Sequence, residues 1–190
     1  MPRLSMTQAN SSLKGLYQDL CECPKDGYEE YLNSDFASIH CPRTAASNIN
    51  DHIWAKLVNR LDGVAGVKPK FDPLNGLRFM RVESKPRSIL LWLKRVDQGR
   101  HHKSFPTPHA QDMAETGQIE MFQSDEILVL GYSRTLDHTG ISRVSINPPS
   151  LTNKPSWWID LVPIASTSIA RTTGKLEYRI EMSEQKRLKR

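Results

Sequence analysis

The stretch TAASNINDHIWAKLVNRLDG at residues 44–63, followed later by LRFMRVE at residues 77–83, decides the fold class. In the first stretch a branched apolar residue recurs every four positions, at Ile49, Ile53, Leu57 and Leu61. This spacing predicts a helix over 44–62 with one apolar face. In the second stretch apolar and charged residues largely alternate, as they do in a half-buried strand. The chain therefore changes from helix to strand near residue 64.

The N-terminal segment continues the helical pattern backwards from this point. Residues 12–22 place apolar side chains at helical spacing, and Pro24 is predicted to end that helix. Several aromatic residues after Asp26 predict a second short helix. Residues 1–11 show no such spacing, and we predict that they form a flexible tail.

The C-terminal part is predicted to be a sheet. Short apolar or alternating segments predict strands at 77–83, 88–96, 126–135, 141–147 and 157–162. The residues KLEYRIEM at 175–182 alternate throughout, which predicts a half-buried strand or an arm that pairs with the edge of another chain. The resulting fold class is α+β, with N-terminal helices packed on a mainly antiparallel sheet of about five to six strands.

Length and composition favour one domain. A chain of 190 residues with 38% hydrophobic residues can bury a single core, which we place at 12–165. Within it, 12–62 is the helical part and 64–162 the sheet, while 166–190 forms a C-terminal arm and basic tail. No segment has the apolar length of a membrane span or the pattern of a secretory signal. Because the three cysteines make an odd count, we expect reduced thiols and a cytoplasmic location.

Charge is strongly segmented although the net charge is only +5. Residues 78–103 carry eight Lys and Arg against two acids, whereas residues 104–133 carry five acids and no Lys or Arg. A basic surface of this kind is typical of solvated strand edges, but it also fits phosphate contact. The predicted phosphate contacts are Arg78, Arg81, Lys94, Arg95, Arg100 and Lys103, with Arg43 before the central helix.

Two clusters suggest chemistry. Arg100, His101 and His102 form a basic loop whose imidazoles have the pKa range needed for proton transfer in phosphodiester cleavage. Surface histidines are more often simply solvated, so a toxin-like ribonuclease remains an alternative. The second cluster holds zinc-type ligands within 21 residues, at Cys21, Cys23, His40 and Cys41. Its spacing departs from C-x₂-C, and a buried structural cysteine explains Cys21 as well.

Short motifs between residues 40 and 162 resemble those of uncharacterised bacterial proteins from mobile elements, encoded near regulators of toxin–antitoxin or prophage type. The motifs are Arg43-Thr44, Asn50-Asp51-His52, Leu93-Lys94-Arg95, Gly99-Arg100, Pro106-Thr107, Gly131-Tyr132 and Thr139-Gly140. The resemblance implies a genetic setting and carries no catalytic residues. The segment after Val162 departs from it.

These observations favour a non-enzymatic protein of a regulatory, toxin–antitoxin or phage-defence locus. We predict that it binds nucleic acid or an acidic protein partner through the basic surface at 78–103. A protein-interaction module that forms a homo-oligomer through the 175–182 arm is a further alternative. The chain lacks the glycine-rich phosphate loops of nucleotide-binding proteins, and we predict no cofactor, no metal and no membrane association.

Overall fold

The structure is a computed structural model that describes residues 3–72, 76–85, 87–97, 100, 125–150, 155–163 and 178–184. The helices are α1 (Met6–Leu13), α2 (Tyr17–Leu32) and α3 (Pro42–Leu61), and a short 3₁₀ turn at Lys14–Leu16 joins the first two. The strands are β1 (Val67–Asp72), β2 (Leu77–Val82), β3 (Ile89–Arg95), β4 (Glu126–Arg134), β5 (Ile141–Asn147), β6 (Trp157–Pro163) and β7 (Tyr178–Glu184). The sequence also predicts a basic loop at 97–108 and a short helix at 108–117, and apart from residues 97 and 100 both lie outside the described residues.

All seven strands form one sheet, in the order of the chain. Neighbouring strands are antiparallel, except that β3 and β4 run parallel from Ile89↔Glu126 to Arg95↔Tyr132. The α+β class with helices on a mainly antiparallel sheet is therefore confirmed. The sheet has one strand more than predicted. The sequence did not predict β1, because its stretch VKPKFD contains a proline and two lysines. Such residues are typical of edge strands, where they discourage pairing with other chains. The predicted arm supplies β7, which pairs along β6 of its own chain.

The segment predicted as a flexible tail is helical from Met6 onwards. Ser5 caps α1: its side chain accepts a hydrogen bond from the Gln8 backbone N–H at 3.3 Å, and Gln8 Oε1 accepts one from the Ser5 N–H at 2.9 Å. Leu4 and Leu13 are buried in the core that the helices share with the sheet. A capping box and two buried leucines therefore order this segment.

The capping box gives a modest, testable contribution to stability. Ser5→Ala should lower the free energy of unfolding by about 1 kcal/mol, because the Gln8 N–H loses its acceptor. Urea denaturation followed by circular dichroism measures the change. The control is Ser11→Ala, which changes an exposed serine of α1 away from the cap and should be nearly neutral. The exposed Ser142 would be a poorer control, because its side chain donates hydrogen bonds to strand carbonyls. Equal effects of Ser5→Ala and Ser11→Ala would contradict the role of the cap.

Pro24 lies inside α2 and does not end it. Proline lacks the N–H that would bond the carbonyl one turn earlier, which normally costs a helix interior several kcal/mol. The helix continues because the residues on both sides of Pro24 are buried against α3 and the sheet, among them Cys21, Cys23, Tyr28 and Tyr31. Tertiary packing thus overrides the local preference, and the predicted second helix is the C-terminal half of α2.

Each face of the sheet carries its own apolar cluster. The larger cluster joins the helices to the helix-side face of β2–β6. The smaller one lies on the opposite face of β2, β3 and β4 and contains Phe79, Leu90, Trp92, Val96, Ile127 and Val129. Strand β4 is therefore buried on both faces, as a central strand should be. Because apolar side chains cover both faces of the central strands, polar side chains lie mainly at the strand ends.

Candidate functional site

The topology gathers basic side chains at one edge of the sheet. Strands β3 and β4 are parallel and end at Arg95 and Arg134, while the antiparallel β2 and β5 begin beside those ends. The side chains at or next to this edge are Arg78, Lys94, Arg95, Arg100, Arg134 and Arg143. We call these six the edge cluster. Four of its members belong to the predicted phosphate contacts.

Two members of the edge cluster are neutralised by carboxylates. Arg78 Nη2 lies 2.5 Å from Asp51 Oδ1 on α3, in an ion pair that is about half exposed. Arg100 holds Asp160 on β6 through both carboxylate oxygens, with Nε 3.2 Å from Oδ1. Its guanidinium carbon also lies 4.3 Å from the ring centre of Trp158. The Arg100–Asp160 pair is largely buried, so Arg100 has a structural role in addition to its predicted role as a phosphate contact.

The other four members have no such partner. Within the described part of the chain, no carboxylate lies within ion-pair distance (4.0 Å) of the group formed by Lys94, Arg95, Arg134 and Arg143. Arg95 and Arg134 lie on the helix side of the sheet, because Arg95 is level with Tyr132 and Arg134 lies over the Tyr28 ring. Lys94 and Arg143 lie on the opposite side.

Arg134 and Arg143 have buried donors that find no acceptor among the described residues. In Arg134 these atoms are Nε and Nη2, and its guanidinium carbon lies 5.4 Å from the centre of the Tyr28 ring. Arg143 donates from Nη2 to the Asp97 carbonyl at 2.8 Å, but its Nε has no acceptor. Burial and the neighbouring Arg100 lower the pKa of Arg143. An unmet buried donor costs free energy, which an acceptor placed beside these arginines would recover.

Two tyrosines fix the helix side of this edge. Tyr132 is fully buried and donates to Asn50 Oδ1 on α3 at 2.8 Å. Tyr28 on α2 donates to the His138 carbonyl in the β4–β5 turn at 2.7 Å. Burial raises the pKa of Tyr132 to about 12, although nearby Arg134 and Arg95 oppose that rise. Both phenols therefore stay protonated and hold α2 and α3 against the strand ends.

A cleft opens where β2 separates from β3. Their pairing ends at Met80↔Leu91, so the residues from Leu77 to Phe79 leave the side of β3. The gap holds a cavity of about 170 Å³ that α3 covers on one side. Its lining residues are Ser47, Asn50, Asp51, Trp54, Gly76, Leu77, Arg78, Trp92, Leu93 and Lys94. We call it the α3 cleft; it is a partly polar cavity beside two members of the edge cluster.

Lys94 is the unusual cation of this cleft. Its Nζ lies 4.1 Å from the centre of the Trp92 ring, an arrangement that stabilises a cation through the ring's electrons. Burial nevertheless lowers the pKa of Lys94 to about 8. Burial and the Trp92 ring thus act on the Lys94 charge in opposite directions.

The remaining predicted phosphate contacts lie elsewhere. Arg81 points to the opposite edge of the sheet, where Nε lies 2.9 Å from Asp125 Oδ2 and Nη2 donates to Ser88 Oγ. The basic surface at 78–103 is thus divided between two edges rather than continuous. Arg43 is exposed in the first turn of α3. Lys103 and the alternative catalytic pair His101 and His102 lie outside the described residues.

The four predicted zinc ligands do not converge. Cys21 and Cys23 are buried within α2, whereas Cys41 is exposed before α3 and His40 stacks near Tyr31 and Phe36. Across the described ranges, no three His, Cys, Asp or Glu side chains are grouped as metal ligands. Burial raises the pKa of Cys23 to about 12, which opposes the thiolate that zinc requires. The structure thus does not bring these four side chains together as one ligand set.

Sequence reasoning missed Arg134 and Arg143. They flank the β4–β5 turn at 135–140, where charge counting along the chain gives no signal. The alternation of side chains along β4 and β5, together with the register of this hairpin, brings both arginines to the ends of β3 and β4.

Comparisons with known proteins do not add to this picture. No protein-family model matches the chain, and no curated protein or solved structure matches it significantly. Among the described helices, none is both long and apolar enough to cross a bilayer.

Proposed function

We propose that this chain is a non-enzymatic, cytoplasmic nucleic-acid-binding protein that holds phosphates at the edge cluster. The observation that carries the proposal is that Arg134 and Arg143 hold buried guanidinium N–H groups for which the described part of the chain supplies no acceptor. Phosphate oxygens supply both the missing acceptors and the missing negative charge. The resemblance to mobile-element proteins fits such a role in a regulatory, toxin–antitoxin or phage-defence locus.

The extent of the edge cluster favours a polyanion over a single small anion. From Arg78 on β2 to Arg143 on β5 the cluster crosses three strand spacings, or about 14 Å. It also presents cations on both sides of the sheet, with Arg95 on the helix side and Lys94 opposite. One small anion does not reach all of these groups, whereas successive phosphates of a nucleic-acid strand do. The half-buried Trp54 in the α3 cleft adds an aromatic surface that a base can contact.

Arg95 offers the cleanest test because it has neither an ion pair nor an unmet buried donor among the described contacts. Arg95→Gln should weaken the binding of a fluorescent single-stranded oligonucleotide about three- to tenfold and reduce the slope of log K against log salt by about one. Fluorescence anisotropy between roughly 50 and 200 mM salt measures both quantities. Lys68→Gln, an exposed lysine on β1 level with Arg81, is the matched control and should have little effect.

Three outcomes would count against the proposal. Binding that is absent at low salt or insensitive to salt would exclude phosphate contact. Equal losses in Arg95→Gln and Lys68→Gln would show general attraction to a basic protein instead of binding at the edge cluster. Displacement of the oligonucleotide by polyglutamate at equal charge concentration would indicate an acidic protein partner.

A further inference from the structure

Most of the large apolar side chains that remain exposed lie on two segments. Leu32, Phe36 and Ile39 lie at the end of α2 and in the loop that leads to α3. Leu136 lies in the β4–β5 turn, whereas Phe71 lies apart from these four on the edge strand β1. Single exposed apolar residues are normal on a soluble protein, but a group of them indicates a surface that another molecule covers.

Tyr28 on α2 joins the two segments. Its hydroxyl donates to the His138 carbonyl in the β4–β5 turn at 2.7 Å, and the Arg134 guanidinium carbon lies 5.4 Å from the centre of its ring. Leu32 follows about one helical turn after Tyr28 in α2. The α2–α3 loop therefore begins beside the β4–β5 turn, and the exposed apolar side chains of both segments share one end of the molecule.

Neighbouring rings support the α2–α3 loop. The His40 ring stacks with the rings of Tyr31 and Phe36, at centroid distances of 6.0 and 6.1 Å. The backbone N–H groups of Ile39 and His40 donate to the Phe36 carbonyl at 3.1 and 3.2 Å. Phe36 is thus held by its neighbours although its side chain is 60% exposed. A side chain that is already held loses little conformational freedom when a partner covers it.

The apolar side chains of the α2–α3 loop have acidic neighbours. Glu29 and Asp35 are both exposed, and within the described part of the chain neither carboxylate has a cation within 4.0 Å. The exposed Arg43, in the first turn of α3, offsets one of these two charges. We give the name loop patch to this apolar and, on balance, acidic surface, formed by Glu29, Leu32, Asp35, Phe36 and Ile39.

The β4–β5 turn has the opposite balance of charge. Arg134 precedes Leu136 by two residues, and Arg95 ends the neighbouring strand β3 on the same side of the sheet. Both arginines belong to the part of the edge cluster that has no carboxylate partner among the described residues. The acid of the turn, Asp137, accepts a hydrogen bond from the Thr139 N–H at 3.2 Å. We give the name turn patch to this apolar and, on balance, basic surface, formed by Arg95, Arg134 and Leu136.

We propose that two copies of this chain form a dimer in which the loop patch of each copy covers the turn patch of the other. Two unlike patches that lie side by side meet their opposites twice when a two-fold axis passes between them. Apolar side chains then form the centre of the contact and unlike charges its rim, as in other protein interfaces. A nucleic acid fits the loop patch less well, because Glu29 and Asp35 repel it.

This contact goes beyond nucleic-acid binding and does not depend on it. It also differs from a contact through the 175–182 arm, whose strand β7 pairs with β6 of the same chain. Arg95 and Arg134 serve both the dimer and the proposed phosphate contact. The dimer is therefore measured on protein that is free of nucleic acid.

The mass of the full chain in solution tests the proposal. Sedimentation equilibrium should give a mass that rises with concentration towards that of two chains. Phe36→Glu and Leu136→Asp should each raise the dissociation constant of the dimer at least about thirtyfold, because each places an acid at the centre of the contact. Phe71→Glu is the matched control and should dimerise like the unchanged chain, since Phe71 is 57% exposed but lies on β1. Circular dichroism checks that all three variants are folded.

Mixing the first two variants tests which patches meet. A pair of one Phe36→Glu chain and one Leu136→Asp chain keeps one intact contact of loop patch with turn patch, whereas pairs of like chains keep none. The mixture should therefore dimerise at least about fivefold more tightly than either variant alone. An unchanged chain that stays monomeric at its highest soluble concentration, or an equal loss in Phe71→Glu, would overturn the proposal. Absence of recovery on mixing would overturn the pairing of unlike patches, and a mass that grows beyond two chains would exclude the two-fold contact.

Discussion

Gly27→Ala is expected to lower the free energy of unfolding by about 3 kcal/mol, near the upper end of the range for overpacking. Gly27 lies in the middle of α2, where a Cβ would stand 2.6 Å from both the Cα and the N of Ile53 on α3. Carbon atoms in good contact are about 3.5–4.0 Å apart, so the helices would have to separate by roughly 1 Å. Backbone atoms cannot rotate away as a side chain can. The usual gain of about 1 kcal/mol for alanine over glycine in a helix is too small to offset this.

Gly15→Ala is the matched control for this substitution. A Cβ at Gly15, in the 3₁₀ turn before α2, would meet no atom within 4 Å. That variant should be neutral or more stable by up to about 1 kcal/mol, because alanine restricts the unfolded chain. Urea denaturation of the two variants measures the contrast. Equal stability of Gly27→Ala and Gly15→Ala would contradict the close approach of α2 and α3 at Gly27.

The sequence predicted the parts of the fold that follow from periodicity. The four-residue spacing of Ile49, Ile53, Leu57 and Leu61 predicted α3, and all four side chains are buried. The phases of β2–β6 were likewise readable because each strand has at least one apolar face. Pro24 within α2 could not be foreseen, because packing against α3 decides it. The sequence did not predict β1, because four of its six residues are exposed and no apolar face indicates a strand there.

The candidate site was only partly predictable. The segmented charge drew attention to Lys94 and Arg95, which lie at one edge of the sheet. Arg81 could not be excluded from sequence, because its partner Asp125 is 44 residues away along the chain. Arg100 is likewise held by Asp160, which is 60 residues away. The missing knowledge was the sheet order and the one parallel pair, which decide which charges meet and which stay unpaired.

Asp160→Ala is expected to destabilise the protein by about 3–5 kcal/mol, since it would leave a buried arginine without its counter-ion. The two side chains of the Arg100–Asp160 pair are 14% and 9% exposed. The Arg100 charge also helps to lower the pKa of the neighbouring Arg143. Without the carboxylate, the Arg100 charge loses its counter-ion in a region of low dielectric, and Asp97 still offsets part of the charge on the neighbouring Arg143. Arg100 also adopts a left-handed backbone angle (φ 65°), which is uncommon for a residue other than glycine. Chemical denaturation measures the loss.

The exposed pair of Arg78 and Asp51 provides the contrast that identifies the cause. Its side chains are 45% and 49% exposed, so Asp51→Ala should cost less than about 1 kcal/mol. If desolvation causes the larger loss at Asp160, added phosphate should recover part of it, since an anion can replace the missing carboxylate beside Arg100 and Arg143. Combining Asp160→Leu with Arg100→Met should also restore much of the stability, because the Arg100 charge is then removed together with its counter-ion. A small loss in Asp160→Ala, equal to that of Asp51→Ala, would mean that water reaches Arg100 freely and that this side of the edge cluster is open.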